Sequence, residues 1–310
     1  MTARIMLAKG YNPKKLIFPV MASEKLDGVP VKIYITIRED IYPPQSTPSK
    51  RAIWTAQTRQ GKPYESVHAQ VDAFATKLMD QGCMGTFGFV AEVNHEDETM
   101  PFKDVSGHCR RHEQCDELRL NVFDFWRPWM VNGHVAKDLL PFGKRIVLAS
   151  GLVRDMFWCK LIRQILCRDA VELAIALGNI KAPAHNGFVP EGAIIRNCDE
   201  RWEEGKRSWG YQKVVDDPTT EVMVTGFEEA TSAEGEPLGM VGRIIADYKG
   251  REIGIGPGKL THEERKAMWE RREEFKQCRT DKRATVKYKR DPSYKALRQP
   301  TFQHWRPEDD

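Results

Sequence analysis

The sequence of 310 residues contains no apolar run long enough to cross a bilayer, and its first residues lack the apolar core and cleavage site of a secretory signal. We therefore expect a cytoplasmic protein. It also has no internal repeat and no low-complexity linker. A hydrophobic fraction of 41% and a mean hydropathy of −0.54 are typical of a chain that buries a core in water. Nothing in the sequence favours an oligomer, so we expect a monomer.

Cysteine pairs at CxxC spacing are absent, and the seven cysteines are an odd number. A chain of this length does not need disulfides, and reduced thiols are the favoured interpretation. Segment 108–115 carries two histidines and two cysteines, which raises the question of a zinc site. Their spacing fits no common zinc finger, so we do not expect a metal there.

A strong net charge is also absent, since the sum is only +4. The charges are uneven, however, and segment 271–299 is richer in Lys and Arg than in acids, with Tyr288 and Tyr294 among them. Such a run is either a solvated face or a surface that follows a phosphate backbone. The sequence leaves both interpretations open.

The first part of the chain alternates strand-like and helix-like segments. Aromatic and β-branched residues predict strands at 31–37, 86–93, 118–126 and 192–197. Helical spacing of apolar residues predicts a helix over 64–82 and a second helical region over 143–179.

The pattern changes near Asp216, where we place a domain boundary between residues 1–215 and 216–310. Short strands with Gly-rich turns follow, interrupted by one helix over 261–275 that opens with the capping-box pair Thr261 and Glu264. Several short strands and one helix in fewer than 100 residues indicate a small β-barrel of the oligonucleotide-binding (OB) type. A single continuous domain is the alternative.

Lys25 is the first candidate for chemistry, in the stretch EKLDG. A lysine amine with its ordinary pKa of about 10.4 is a poor nucleophile at neutral pH, and it needs an environment that activates it. The stretch is therefore either a plain surface turn or the end of a strand that carries a nucleophilic lysine. In the second case Asp27 and Gly28 form the turn that presents Lys25.

Further candidates follow along the chain. In TRQGK, Arg59 and Lys62 flank a glycine turn suited to phosphate. Glu92 and Glu191 stand within or beside apolar runs, where a carboxylate is paired, at a strand end or functional. Strand alternation predicts Phe123 on the same face as Phe125, in the core or as a platform for a base.

In this order, the segments EKLDG, TRQGK, FVAEV, VFDF, EGAIIR and YQK resemble the successive motifs of the covalent nucleotidyltransferase superfamily. That superfamily contains the ATP-dependent DNA ligases, RNA ligases and mRNA capping enzymes. The segments REIGIGPGKLTHEER and LRQPTFQHWRPEDD resemble the second domain and C-terminal motif of the ligases. The resemblance implies an α+β fold, in which an ATP-grasp-like nucleotidyltransferase domain of antiparallel sheets and helices precedes an OB-fold barrel.

The resemblance further implies a reaction with ATP and Mg²⁺ (or Mn²⁺) on nicked duplex DNA, in the cytoplasm of a bacterial or virus-infected cell. Lys25 would carry AMP, with Lys213 and Glu191 as its catalytic partners. The implied nucleotide contacts are Glu24, Lys25, Arg59, Glu92, Phe123, Glu191, Arg196, Lys213, Arg298 and Arg306. Glu92 and Glu191 would bind the metal. The implied nucleic-acid contacts are Arg59, Lys62, Lys287, Lys289 and Arg290.

Three positions depart from the motifs. Pro30 stands where KxDGxR has its arginine, a contact that Lys32 or Arg59 would have to replace. Tyr211 replaces the first of two lysines in the last motif, and Arg196 replaces a lysine with another cation.

The resemblance favours a compact bacteriophage-type DNA ligase. An RNA ligase or capping enzyme is the second interpretation, because RNA ligases usually lack the OB domain and capping enzymes lack the LRQPTFQHWRPED ending. A non-catalytic OB-type nucleic-acid-binding protein is the third. It leaves the set of Lys25, the two glutamates and Lys213 unexplained.

Overall fold

The computed structural model describes residues 5–40, 49–127, 129–131, 134–136, 140–182, 190–215, 217–277, 282–289 and 296–306. The chain divides into two compact units, Met1–Val215 and Asp216–Asp310. Within the described ranges, no helix has the length and apolar character needed to span a membrane.

The first unit contains twelve strands and four α-helices in its described part. The strands are β1 (Leu7–Gly10), β2 (Val20–Lys25), β3 (Val29–Asp40), β4 (Ser49–Thr58), β5 (Gly85–His95), β6 (Leu118–Trp126), β7 (Trp129–Val131), β8 (His134–Ala136), β9 (Cys159–Leu161), β10 (Ile165–Cys167), β11 (Gly192–Asn197) and β12 (Arg207–Val215). The helices are α1 (His68–Asp80), α2 (Phe102–Cys109), α3 (Phe142–Leu152) and α4 (Ala170–Lys181).

Most of these strands form two five-stranded sheets. We call the sheet β1-β12-β11-β2-β10 the first sheet and the sheet β4-β3-β5-β6-β9 the second sheet. Helix α4 packs its apolar residues on one face of the first sheet, while α1 and α2 pack on one face of the second. A further cluster includes Val90 and Trp126 of the second sheet and Tyr211 of the first. The two sheets therefore contact each other through the faces that the helices leave uncovered.

A β-bulge at Phe123 changes the expected alternation of β6. Val90 pairs with Asp124 and the next residue, Ala91, pairs with Val122, so Phe123 is the extra residue of the bulge. Phe125 lies in the core under the helices, but Phe123 packs in the cluster between the sheets. The prediction that Phe123 and Phe125 share a face is wrong for this reason.

The predicted helical region 143–179 is confirmed only at its two ends, as α3 and α4. Between them, Ile165 and Cys167 form β10 and pair with Ala22 and Val20 of β2. Pairing with a buried strand overrides local helical spacing here, since the pairing satisfies the backbone groups at the edge of the first sheet.

The second unit is a five-stranded sheet with helices between its third and fourth strands. Its elements are β13 (Thr219–Thr231), β14 (Pro237–Tyr248), β15 (Arg251–Ile255), α5 (His262–Glu270), α6 (Arg272–Gln277), β16 (Arg283–Lys289) and β17 (Arg298–Trp305). The order is β15-β14-β13-β16-β17, and a parallel bridge between Gly256 and Thr301 joins the two edges. Hydrogen bonds from Gly256 N to Pro300 O and from Phe302 N to Gly256 O, at 2.9 and 3.0 Å, support this bridge.

This arrangement is that of a small OB-type barrel, as predicted. The capping box of Thr261 and Glu264 is present at the start of α5. The predicted α+β fold class is confirmed.

Candidate active site

Lys25 is the last residue of β2, which is hydrogen-bonded to β10 on one side and β11 on the other. The chain then turns directly into β3 beside β5. A Cβ atom at Gly28 would lie 2.5 Å from the carbonyl oxygen of Val93 and 2.8 Å from Cγ of Glu92. Only glycine fits this close approach, and the turn brings Lys25 to the strand that carries Glu92.

The amine of Lys25 forms an ion pair with Oε2 of Glu191. Only 22% of the lysine side chain and 14% of the glutamate side chain are exposed to solvent. The backbone of Glu191 also donates to the carbonyl oxygen of Lys25 at 3.1 Å. Two strand ends thus hold an amine and a carboxylate together in a partly desolvated place.

Glu92 adds a second carboxylate to this group. Burial raises the pKa of Glu92 to about 8, and the negative charges of Glu191 and Asp27 act in the same direction. The positive charge of Lys25 and a hydrogen bond from the backbone N–H of Gly28 oppose the rise. Carboxylates gathered around one amine in this way are typical of functional sites.

Lys25 and Glu92 border a cleft that is open to solvent, with about 520 Å³ of empty space when the solvent at its mouth is included. The cleft is lined by Ser23, Glu24, Lys25, Leu26, Glu92, Phe123, Phe142, Ile162, Gln164, Ile194, Arg196 and Tyr211. Aromatic and aliphatic side chains thus adjoin a charged group, which suits a ligand with one flat apolar part and one anionic part.

Behind the cleft, a buried carboxylate joins three elements. Asp124 of β6 accepts hydrogen bonds from Nε and Nη2 of Arg145 on α3, at 2.9 and 3.1 Å. It also pairs with Nη1 of Arg196 on β11 at 2.5 Å. Burial would raise the pKa of Asp124, but the two guanidinium groups outweigh it and lower that pKa below its usual value. The network stays charged and fixes the two sheets to α3.

Arg196 is therefore engaged with protein groups. Its guanidinium carbon lies 4.3 Å from the ring centre of Phe142 and 4.4 Å from that of Tyr211. Its side chain is 2% exposed, although it borders the cleft. Tyr211, which replaces a lysine of the motif, supports this cation. The implied contact of Arg196 with the nucleotide stays a prediction.

The other basic residues of the first unit lie outside the lining of the cleft. Lys213 is exposed on β12, in register with the cleft residue Ile194. Arg59 and Lys62 are exposed on the turn after β4. Lys32, a candidate to replace the missing arginine, is 1% exposed and pairs with Oε1 of Glu204 at 3.2 Å.

Three of the predicted basic contacts in the second unit have acidic partners. Lys287 and Lys289 both pair with Asp217, at 3.3 and 3.1 Å. Arg306 pairs with Glu221 at 2.7 Å. Arg298 is buried on β17. The predicted contact Arg290 lies outside the described residues.

In segment 108–115, Nδ1 of His108 lies 3.3 Å from Sγ of Cys115, and His112 pairs with Glu65. In the described part of the chain, no three or more His, Cys, Asp or Glu side chains are grouped as they would be around a metal ion.

Comparison with solved structures places this cleft in a known fold. A structure named Pmar-Lig has a TM-score of 0.74 at 19% identity, over 99% of this chain and 68% of that chain. A structure of Lig E DNA ligases has a TM-score of 0.63 at 15% identity, over 98% and 99%. The ATP-dependent DNA ligase of bacteriophage T7 in complex with ATP has a TM-score of 0.51 at 16% identity, over 98% of both chains.

The chain has the fold of the ATP-dependent DNA ligases. Identities below 20% in these three comparisons show this fold and leave the activity to be argued from the site. No protein-family model and no curated protein matches the sequence.

The ligase fold also brings to the cleft residues that the sequence does not single out as candidates. These are Ser23, Leu26, Phe142, Ile162, Gln164 and Ile194. Ser23, Leu26 and Ile194 could have been found, since they flank the motif residues in strands or turns. Phe142 carries no motif signal, and Ile162 and Gln164 lie in a segment that helical spacing predicted as helix.

The Asp124 network generates a prediction about stability. Replacing Asp124 with asparagine leaves two buried guanidinium groups without an anion, which typically costs about 3–5 kcal/mol. We expect a loss of this size in urea unfolding of the protein. Asp72→Asn is a matched control, because Asp72 is exposed and accepts a hydrogen bond from Nε1 of Trp54 at 2.9 Å. Equal stability of the two variants would show that the network is not needed.

Glu92 generates a prediction about pH. The folded protein holds the Glu92 proton more tightly than the unfolded chain, whose glutamate pKa is 4.5. The stabilisation from this group is fully present below pH 4.5 and is lost as the pH rises through about 8. The free energy of unfolding of Glu92→Gln should therefore fall less between these pH values than that of the wild type. Urea titrations at several pH values measure this, with the exposed Glu98→Gln as control. Parallel pH profiles for wild type and Glu92→Gln would contradict the prediction.

Proposed function

We propose that the protein is an ATP-dependent DNA ligase that seals nicks between a 3′-hydroxyl and a 5′-phosphate in duplex DNA. The observation that carries the proposal is the pairing of Lys25 with Glu191 at the edge of a cleft that Glu92 and Phe123 also line. The fold shared with the Lig E and bacteriophage T7 DNA ligases supports it.

In the first step, Lys25 reacts with ATP as substrate. The Nζ atom gives one proton to Glu191, and its freed electron pair forms a bond to the α-phosphorus. The bond from that phosphorus to the pyrophosphate oxygen breaks, and a second proton leaves the nitrogen to solvent. Glu191 is suited to the role because it already accepts a hydrogen bond from this amine.

In the second step, an oxygen of the 5′-phosphate attacks the phosphorus of the lysine-bound AMP, and the N–P bond breaks. The nitrogen of Lys25 takes up a proton as it leaves. In the third step, the 3′-hydroxyl attacks the 5′-phosphate, loses its proton and displaces AMP. In this proposal the cleft holds the same nucleotide through these steps and Phe123, a lining residue of the cleft, stacks on the base.

A divalent cation fits the carboxylates of the cleft. Mg²⁺ binds to one or two protein carboxylates and completes its shell with water and substrate phosphates. Glu92 and Glu191 both lie beside Lys25. Burial raises the pKa of Glu92, the negative charges of Glu191 and Asp27 add to the rise, and a bound cation would relieve this repulsion. When bound, Mg²⁺ would neutralise charge on the transferring phosphate.

The nucleophile is tested by covalent labelling. Incubation with ATP radiolabelled at the α-phosphate and Mg²⁺ should label the protein in a denaturing gel, because the N–P bond survives denaturation. Lys25→Ala should lose the label to background. Lys103→Ala, which removes an exposed lysine of α2, should keep it.

A label that persists in Lys25→Ala would overturn the assignment of the nucleophile.

The substrate is tested by comparing the sealing of nicked DNA with the sealing of nicked RNA, and the use of ATP with the use of GTP. Activity on RNA alone, or with GTP alone, would favour an RNA ligase or a capping-type enzyme.

We also propose that Lys287 and Lys289 contact the DNA backbone. Both lie on one strand, β16, and share the carboxylate of Asp217, so a phosphate would have to exchange with that carboxylate. The double substitution to alanine should weaken binding to a nicked duplex and reduce the slope of log affinity against log salt by about 2. Asp217→Asn should strengthen binding, because it releases both cations.

The control is Lys259→Ala with Lys266→Ala, which removes the same charge from other exposed positions of the second unit. Binding is measured by fluorescence anisotropy over a salt series. A slope that the Lys287 and Lys289 substitutions leave unchanged would show that these lysines form a solvated face.

A further inference from the structure

We propose that Gln164 selects the base of the nucleotide, with its side-chain oxygen accepting a hydrogen bond from the 6-amino group of adenine. The inference rests on the proposed function, and it assigns the preference for ATP over GTP to one residue of the cleft. None of the sequence motifs includes Gln164.

Gln164 lies beside the strand that carries the nucleophile. It precedes β10, in which Ile165 pairs with Ala22 of β2. Continuing this antiparallel register by one residue places Gln164 opposite Ser23, two residues before Lys25 on the same strand. Two residues of a strand span about 7 Å. A nucleotide with its α-phosphate at Lys25 can therefore extend its base along β2 toward Ser23 and Gln164.

The lining of the cleft offers few neutral polar groups for a base. Phe123, Phe142, Ile162 and Ile194 are apolar, and Glu24, Lys25, Glu92 and Arg196 carry charged groups. Gln164 is the one lining residue with a side-chain amide, which contains both a donor and an acceptor. In apolar surroundings such a group discriminates between bases, since a mismatched polar atom there stays unpaired.

A hydrogen bond fixes which end of the amide faces a ligand. Nε2 of Gln164 donates to the carbonyl oxygen of Ile162 at 3.1 Å. The reverse orientation would place two acceptor oxygens together. This bond uses one of the two N–H groups of the amide, while Oε1 accepts no hydrogen bond from the described residues and is the acceptor that we assign to the nucleotide.

This polarity matches adenine and opposes guanine. The 6-position of adenine carries an amino donor, whereas that of guanine carries an oxygen acceptor. Against Oε1 of Gln164, adenine forms a hydrogen bond and guanine brings two acceptors into contact. Purine without a 6-substituent forms no bond and meets no repulsion.

The test measures the binding of nucleotide analogues that cannot transfer AMP to Lys25. Isothermal titration calorimetry compares α,β-methylene analogues of three nucleoside triphosphates, with adenine, guanine or unsubstituted purine as the base. Wild-type protein should bind the adenine analogue about tenfold more tightly than the purine analogue, and the guanine analogue more weakly than both. For Gln164→Leu, the affinities for adenine and purine should become equal within about twofold, with the guanine penalty reduced.

Gln60→Leu is the matched control, because Gln60 is exposed on the turn after β4 and should leave the preferences unchanged. A wild-type preference that survives in Gln164→Leu would overturn the inference, as would a wild type without any preference.

The failure of the inference can be told apart from that of the proposed function. If the wild-type protein becomes labelled at Lys25 and Gln164→Leu keeps the base preference of the wild type, only the role of Gln164 is contradicted. Wild-type protein that binds none of the three analogues and acquires no label contradicts both.

Discussion

The carboxylate of Asp124 holds the first unit together at the point where the site is built. It joins β6 of the second sheet to Arg145 on α3 and to Arg196 on β11 of the first sheet. A buried charge of this kind is tolerated only when its partners are in place, so the three elements can adopt few other arrangements. Arg196 then supports Phe142 and Tyr211, whose rings it contacts and which line the cleft.

The reactive end of the cleft depends on a second constraint, the close approach of Gly28 to β5. Because the chain can turn there, Lys25 ends one strand while Glu92 lies on a strand of the opposite sheet. Electrostatics connects them: the amine pairs with Glu191, and burial and neighbouring acids raise the pKa of Glu92. The amine, the two carboxylates and the aromatic ring of Phe123, on which the proposed reaction depends, are thus brought together at one place.

Pro30 is one of the positions at which this chain departs from the family motifs. It stands opposite Glu92 in the β3–β5 register, where an arginine would add a cation beside that carboxylate. Lys32, on the same face, pairs with Glu204 and is nearly fully buried, so it belongs to the packing between the sheets. Without the arginine, Lys25 is the one positively charged group among those that influence the pKa of Glu92.

The sequence by itself determined the strands at β3, β5, β6 and β11, the capping box of α5 and the order of motifs around Lys25, Glu92 and Glu191, and the family resemblance of those motifs implied the α+β class. These features depend on local periodicity and on residue types. Only the tertiary structure decided that Phe123 leaves the core face and that segment 161–169 contributes β10. It also decided that Gln164 reaches the cleft and that Lys287 and Lys289 share Asp217. A bulge, an edge pairing and an ion pair between distant residues depend on which strands meet, and local sequence spacing does not contain that information.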